Sequence, residues 1–164
     1  LNLSQLKTPN GFTIRKAKPN EYRKVIQAND EAFQDLWGYS PKTEAQFQMW
    51  EQDRLFQPEC WQVAWNEDEV AGMVLGFIDE EENSFFHRKR GYTEEIAVRR
   101  PWRRKGLARQ LLTESIRMFN EKGMQETALS VDSHNQSGAY SFYLEMGYKP
   151  IREFCYYRKP LPVE

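Results

Sequence analysis

Apolar and polar side chains alternate over residues 12–16, with Phe12 and Ile14 on one side, the period-two pattern of a half-buried strand following a Pro/Asn/Gly turn. From Pro19 the period lengthens. Tyr22, Val25, Ile26, Phe33, Leu36 and Trp37 gather on one side of a helix until Gly38, Tyr39, Ser40 and Pro41 break it. Thr43 with Gln46 three residues later reads as a capping box that opens a short helix carrying Phe47 and Trp50. Residues 60–65 and 70–78 read as two strands joined by an acidic turn. The second is nearly continuous in apolar residues, as a strand in mid-sheet would be.

Residues 79–91 read as a polar, solvated loop with an acidic half and a basic half, His87-Arg88-Lys89-Arg90. A fourth strand covers 93–98. The helix predicted over 105–121 aligns Ala108, Leu111, Leu112, Ser115 and Phe119, and Lys122-Gly123 ends it. Thr127, Leu129 and Val131 alternate as a fifth strand. Ala139, Phe142, Tyr143 and Met146 mark another helix closed by Gly147, and residues 152–158 form a last strand. The order β-α-α-β-β-β-α-β-α-β, without repeat or linker, predicts a single α/β domain over residues 1–164 with strands of mixed direction.

A formal charge of −1 and a pI near 6.2 argue against a general nucleic-acid binder, which carries a basic excess. Cys60 and Cys155 lie in apolar, strand-like contexts and read as buried, reduced thiols. There is no signal-peptide core and no bilayer-spanning apolar run, so a cytoplasmic protein without membrane contact is expected. The first residue is Leu rather than Met, which leaves room for the domain to be one half of a longer tandem protein. Two histidines and no ligand-spaced Cys/His/carboxylate set predict no metal site.

The cations are concentrated locally: six of the eleven residues from 99 to 109 are Arg or Lys. They fall between a strand and a helix opened by Gly106-x-Ala108. The first turn of a helix leaves N–H groups without intrahelical partners, and its dipole adds positive potential. Strand, basic turn and helix therefore read as a phosphate cradle. A solvated surface or an RNA-contacting patch over 88–109 is the weaker reading.

Two segments carry a resemblance. Arg103-x-x-Gly106-x-Ala108, and Asn135-Gln136-Ser137-Gly138-Ala139 followed by Tyr143-Leu144-Glu145-Met146-Gly147-Tyr148, resemble the two signature segments of the GNAT superfamily of acyl-CoA-dependent N-acetyltransferases. The Asn-x-Ser-Gly-Ala spelling is similar to the mycothiol-synthase branch, whose members often carry two such domains. The resemblance implies a splayed sheet of six to seven strands with four helices, and acetyl-CoA as cosubstrate without a metal. It implies that Arg103 and Arg104 supply charge to the pyrophosphate, while the backbone of Arg104, Lys105, Gly106, Leu107, Ala108 and Arg109 donates hydrogen bonds to it. The backbones of Ile96, Ala97 and Val98 would hold the pantetheine and polarise the thioester. Asn135 would contact pantetheine or cap its helix, and Tyr143 would protonate the departing thiolate.

The general base is left between Glu94, Glu95 and a water. Successive strand residues point oppositely, so one of the two carboxylates faces the acceptor. Several family members place this Glu further upstream, where Tyr92 stands here. An acceptor cleft built from the first helices and last strands would draw on Phe33, Trp37, Tyr39, Phe47, Trp50, Tyr156 and Tyr157, most of them explained equally well as core. Trp37 and Tyr39 flank the helix breaker and are the expected substrate contacts. Asp30, Glu31 and Asp35 would attract a cationic amine or simply be solvated. The expected activity is that of an EC 2.3.1-type acyltransferase moving acetyl directly to a primary amine, on a small molecule or a peptide. No cysteine is placed for an acyl-enzyme. A monomer or homodimer is expected. The alternative is a non-catalytic acyl-CoA-binding module.

Overall fold

The computed structural model describes residues 8–34, 38–132, 138–155 and 157–161. They fall into two compact units, one ending at Ser130 and one beginning at Val131. In the first, β1 (Thr13–Arg15), β2 (Trp61–Asn66), β3 (Glu69–Phe77), β4 (Arg90–Val98) and β5 (Glu126–Ala128) form one sheet in chain order. Pairing is antiparallel from β1 to β4, and β5 joins β4 in parallel. In sequence, α1 (Tyr22–Phe33) and α2 (Glu44–Glu51) separate β1 from β2, α3 (Glu80–Phe85) separates β3 from β4, and α4 (Leu107–Glu121) separates β4 from β5. The second unit holds α5 (Ala139–Glu145). The mixed α/β fold expected from the sequence is present, but with five strands and five α-helices among the described residues rather than six to seven strands and four helices.

Most elements follow from the periodicities. In α2, Thr43 Oγ1 accepts from Gln46 N at 3.3 Å and Gln46 Oε1 accepts from Thr43 N at 2.8 Å, the reciprocal capping box. The sheet is buried on both faces. Val25 and Ile26 of α1 pack with Val63, Met73 and Leu75 on one face; Leu107 and Leu111 of α4 pack with Ala64, Ala71 and Val74 on the other. Each fully buried aliphatic side chain contributes about 1.5–3 kcal/mol relative to exposure, so these two layers dominate stability.

Three expectations are corrected. The polar stretch 79–91 contains α3, because Asp79 Oδ1 accepts from Glu82 N at 3.0 Å and three glutamates fill the first turn, where the helix dipole favours anions. Arg54 holds the same Asp79 carboxylate by two bonds of 2.7 and 3.0 Å, which lowers its pKa. The strand predicted over 152–158 is absent among its described residues; Ile151, Phe154 and Tyr157 near and within it are largely exposed, and with no partner strand their alternation has nothing to pack on. Cys155 is exposed for the same reason, whereas Cys60 is buried as expected.

Gly76 and Gly91, on neighbouring strands, face the ring of Phe119 from α4. A Cβ at Gly76 would lie 2.9 Å from that ring and one at Gly91 only 2.4 Å. The missing side chains let α4 settle on the backbone of β3 and β4. Gly91→Ala is therefore expected to destabilise by about 1–3 kcal/mol through overpacking, measured by chemical denaturation; an unchanged midpoint would mean that Phe119 can turn aside at no cost.

Candidate active site

The centre of the site is an irregularity in β4. Leu75 pairs with Glu94 and Met73 with Ala97, so Val74 alone opposes both Glu95 and Ile96. Glu95 is the extra residue, and it has the left-handed φ of 46°. Leu75, Met73 and Ala97 belong to the core under α1, whereas Val74, Ile96 and Val98 belong to the core under α4. Residues directly opposite on antiparallel strands share a face, which puts Glu94 on the α1 side. Glu95 is there too, since its Oε2 accepts from Asn29 Nδ2 of α1 at 2.8 Å. The expectation that the two carboxylates point oppositely is thus corrected: the bulge brings both to one face.

Their environments differ. Glu95 also has Lys42 Nζ 4.0 Å from its other oxygen. Among the described residues, Glu94 has no cation of this kind. Burial pushes its pKa up to about 7, the neighbouring Glu95 adds to the rise, and hydrogen bonds from Ser130 oppose it. The Ser130 backbone N lies 3.4 Å from Glu94 Oε2.

Beyond this point β4 has no strand partner on the side away from β3 among the described residues of its unit. The pairs Arg90–Glu126, Gly91–Thr127 and Tyr92–Ala128 complete the parallel ladder, and β5 pairs with β4 no further. Arg99 N donates to Ala71 O at 2.9 Å. Because an antiparallel ladder turns successive amides alternately toward and away from its partner, those of Val98 and Ile96 face away from β3, toward the side that β5 has left. Val98 O there accepts from Arg103 Nε at 2.9 Å.

The basic run divides its labour. Arg103 also reaches Ala32 O at the end of α1, at 3.1 Å, and Arg99 pairs with Glu31 at 2.7 Å and donates to Val70 O at 3.0 Å. Both arginines fasten α1 to the end of β4. Arg104 and Lys105 are exposed. Gly106, the N-cap of α4, has a φ of 82°, and nothing lies within 4 Å of a Cβ placed on it. Its glycine thus meets a backbone requirement as well as leaving room for a ligand. Gln110 N donates to Gly106 O at 3.1 Å, so Leu107 and Ala108 lie in the first turn of α4, where N–H groups have no carbonyl of their own helix to bond. The Leu107 side chain itself is core.

On the α1 side, Tyr39 donates from its hydroxyl to Asp30, and burial together with this carboxylate raises the phenol's pKa. Its ring lies 5.7 Å from that of Phe33. Phe47 is buried, and the half-buried Trp50 packs on the same core, stacked on Trp61 at 5.7 Å. Trp37, Asn135 and Tyr156 lie outside the described residues. Tyr143 is half-buried on α5 of the second unit, with its ring 6.0 Å from Tyr148 and its carbonyl accepting from Tyr148 N at 3.0 Å. Sequence reasoning passed over Asn29. The available signal was an amide at i+4 from Val25 and i+3 from Ile26, on the apolar side of its helix. Among the described residues, no group of three or more His, Cys, Asp or Glu side chains could hold a metal. No helix there is long and apolar enough to cross a membrane.

Residues 23–148 match the model of the acetyltransferase (GNAT) family, and the chain belongs to that family. It is 25% identical over 100 residues to the N-alpha-acetyltransferase MAK3 of Arabidopsis thaliana, a match covering 61% of this chain and 50% of that protein. A GCN5-related N-acetyltransferase from Sphaerobacter thermophilus is similar in structure, with a TM-score of 0.70 and 30% identity over 86% of this chain and 42% of that one. A chain of the NatC complex bound to Gag peptide and CoA shares the fold, with a TM-score of 0.68 and 20% identity over 86% of each. The chain thus spans half the length of the Arabidopsis relative and less than half of the Sphaerobacter chain.

A carboxyl whose folded pKa lies above its unfolded value costs stability as it ionises. For Glu94 that cost is small near pH 5, accumulates as the pH rises from about 4.5 toward about 7, and is level above that. Glu94→Gln is expected to raise the Tm by a few degrees at pH 8 and by less at pH 5, an order-of-magnitude expectation for a shift of this kind. Equal effects at both pH values in calorimetry would refute the raised pKa.

Proposed function

We propose that the domain transfers an acetyl group from acetyl-CoA directly to a primary amine. The observation that carries this reading is the edge of β4 that β5 leaves unpaired among the described residues. Where β5 departs, the amides of Ile96 and Val98 turn outward beside the bulge, and the loop before α4 offers first-turn N–H groups and exposed cations. That edge fits an extended amide chain, and the loop fits the diphosphate attached to it. Bound acetyl-CoA supplies a thioester carbonyl and a thiolate leaving group. A backbone N–H of β4 aimed at the carbonyl oxygen stabilises the negative charge that develops there, a preorganised donor of the kind worth ~3–4 kcal/mol.

Glu94 is the base we assign. Its pKa near 7 lets it accept the ammonium proton close to neutrality, either directly or through a water. The neutral amine then attacks the carbonyl carbon, the C–S bond breaks, the sulfur takes the Tyr143 phenol proton, and the second proton that the nitrogen sheds as the amide forms returns through water to the phenolate. The Tyr143 role rests on resemblance. The same raised pKa favours an enzyme over a non-catalytic acyl-CoA carrier, which has no use for a carboxyl of that kind. The acceptor is a small-molecule or peptide amine, consistent with the N-alpha-acetyltransferase and NatC likenesses. The Asn-x-Ser-Gly-Ala spelling supports a mycothiol-synthase-like relationship.

Free-thiol release from acetyl-CoA with a panel of amines, amino acids and peptides tests the activity, and at least one acceptor should give saturable turnover. The rate should fall as the pH drops below about 7. Glu94→Gln should remove that acidic limb and lower kcat by roughly 100-fold, as loss of a general base does; a limb that persists assigns the base elsewhere. Tyr143→Phe should lower kcat on a similar scale with little change in acetyl-CoA affinity. Gly106→Glu should abolish calorimetric CoA binding in a folded protein, and unchanged affinity would remove the loop from the site.

A further inference from the structure

We infer that Asn29 is a positioning residue whose bond to Glu95 holds the β4 bulge in register, and through it the amides that face the thioester. This inference rests on the proposed acetyl transfer along β4, but the bond and the bulge are independent of it. A left-handed φ is costly for a residue with a side chain and persists only when its surroundings impose it. At Glu95 the imposing contact is the 2.8 Å bond from Asn29 Nδ2, supported by Lys42 at 4.0 Å.

The bulge decides more than one residue's conformation. If β4 ran on regularly from Glu94, every following side chain would change face, taking Ile96 and Val98 toward α1 and Ala97 toward α4. Every following amide would reverse as well, and those of Ile96 and Val98 would turn into β3 rather than toward the edge that β5 leaves. Ile96, Ala97 and Val98 already pack in the cores that the bulged register requires, so Asn29 acts together with that packing.

The choice of residue at position 29 points to geometry rather than stability. Asn29 is fully buried on the apolar side of α1, and its Oδ1 has no hydrogen-bond partner. An orphaned buried acceptor is unfavourable, and an aliphatic side chain there would avoid it. The amide is explained by what it donates: its Nδ2 holds Glu95, and an Asn29 hydrogen bond to Tyr39 offsets part of the rise in that phenol's pKa.

A double-mutant cycle tests the inference, because glycine adopts a positive φ without penalty and makes a latch unnecessary. Asn29→Leu should leave the Tm unchanged or raise it, lower kcat about tenfold, and preserve the acidic limb near pH 7 that belongs to Glu94. In the Glu95→Gly background the same Asn29→Leu change should cost less than about twofold. An equal loss in both backgrounds, or no loss in the first, overturns the latch. The HN–Hα scalar coupling of Glu95, which reports φ, should change in Asn29→Leu whether or not any amine is acetylated. An unchanged coupling refutes the latch; absence of turnover in the native protein refutes the proposed activity instead.

Discussion

The last turn of α1 bound against the end of β4 is the contact on which the rest of the site depends. Four successive residues hold four different partners: Asn29 holds Glu95, Asp30 takes the Tyr39 hydroxyl, Glu31 pairs with Arg99, and the Ala32 carbonyl accepts from Arg103. Each tie contributes only about 0.5–1.5 kcal/mol net, whereas the apolar layer beneath α1 contributes several times more. Hydrophobic burial therefore decides that α1 lies on the sheet, and the polar ties decide where along it. A small slide of this helix would disturb the bulge, the Tyr39 ring and the basic loop together.

Identical side chains acquire opposite characters in this frame. Glu21 is gripped by two bonds from Arg15, of 2.7 and 2.8 Å, and its pKa is held down at about 2. Glu94, half-buried and without such a partner among the described residues, is pushed up to about 7. The cations show the same division. Arg99 and Arg103 are spent on carbonyls and carboxylates of the frame, so the number of positive charges in the run overstates what is available to a ligand.

Elements governed by local rules were legible in the chain. The capping box of α2, the apolar stripe of α4 and the alternation of β1 each involve residues a few positions apart. The start of α3 was equally local, since Asp79 followed by three glutamates is a helix-opening signal, but a dense run of charge reads just as readily as a loop. The bulge was not legible, because Thr93-Glu94-Glu95-Ile96 is an unexceptional strand sequence whose extra residue is imposed from α1, more than sixty positions away. The end of the chain failed for the complementary reason: alternation over 152–158 predicts a strand only if a partner supplies its other side. The site's chemistry was legible in its residue types, whereas the face each one occupies was set by that long-range contact.

The two glycines beneath Phe119 bear on how this chain can change over generations. Gly76, Gly91 and Phe119 fill a single space from three separate elements. A larger residue at Gly91 fits only in a lineage that has already reduced the ring, and a reduced ring leaves a void until that glycine grows, whereas Gly76 is also closed in by the Tyr92 and Cys60 carbonyls. The three positions are thus expected to be inherited as a set, with substitutions among descendants arriving in compensated pairs, while the exposed residues around them drift independently.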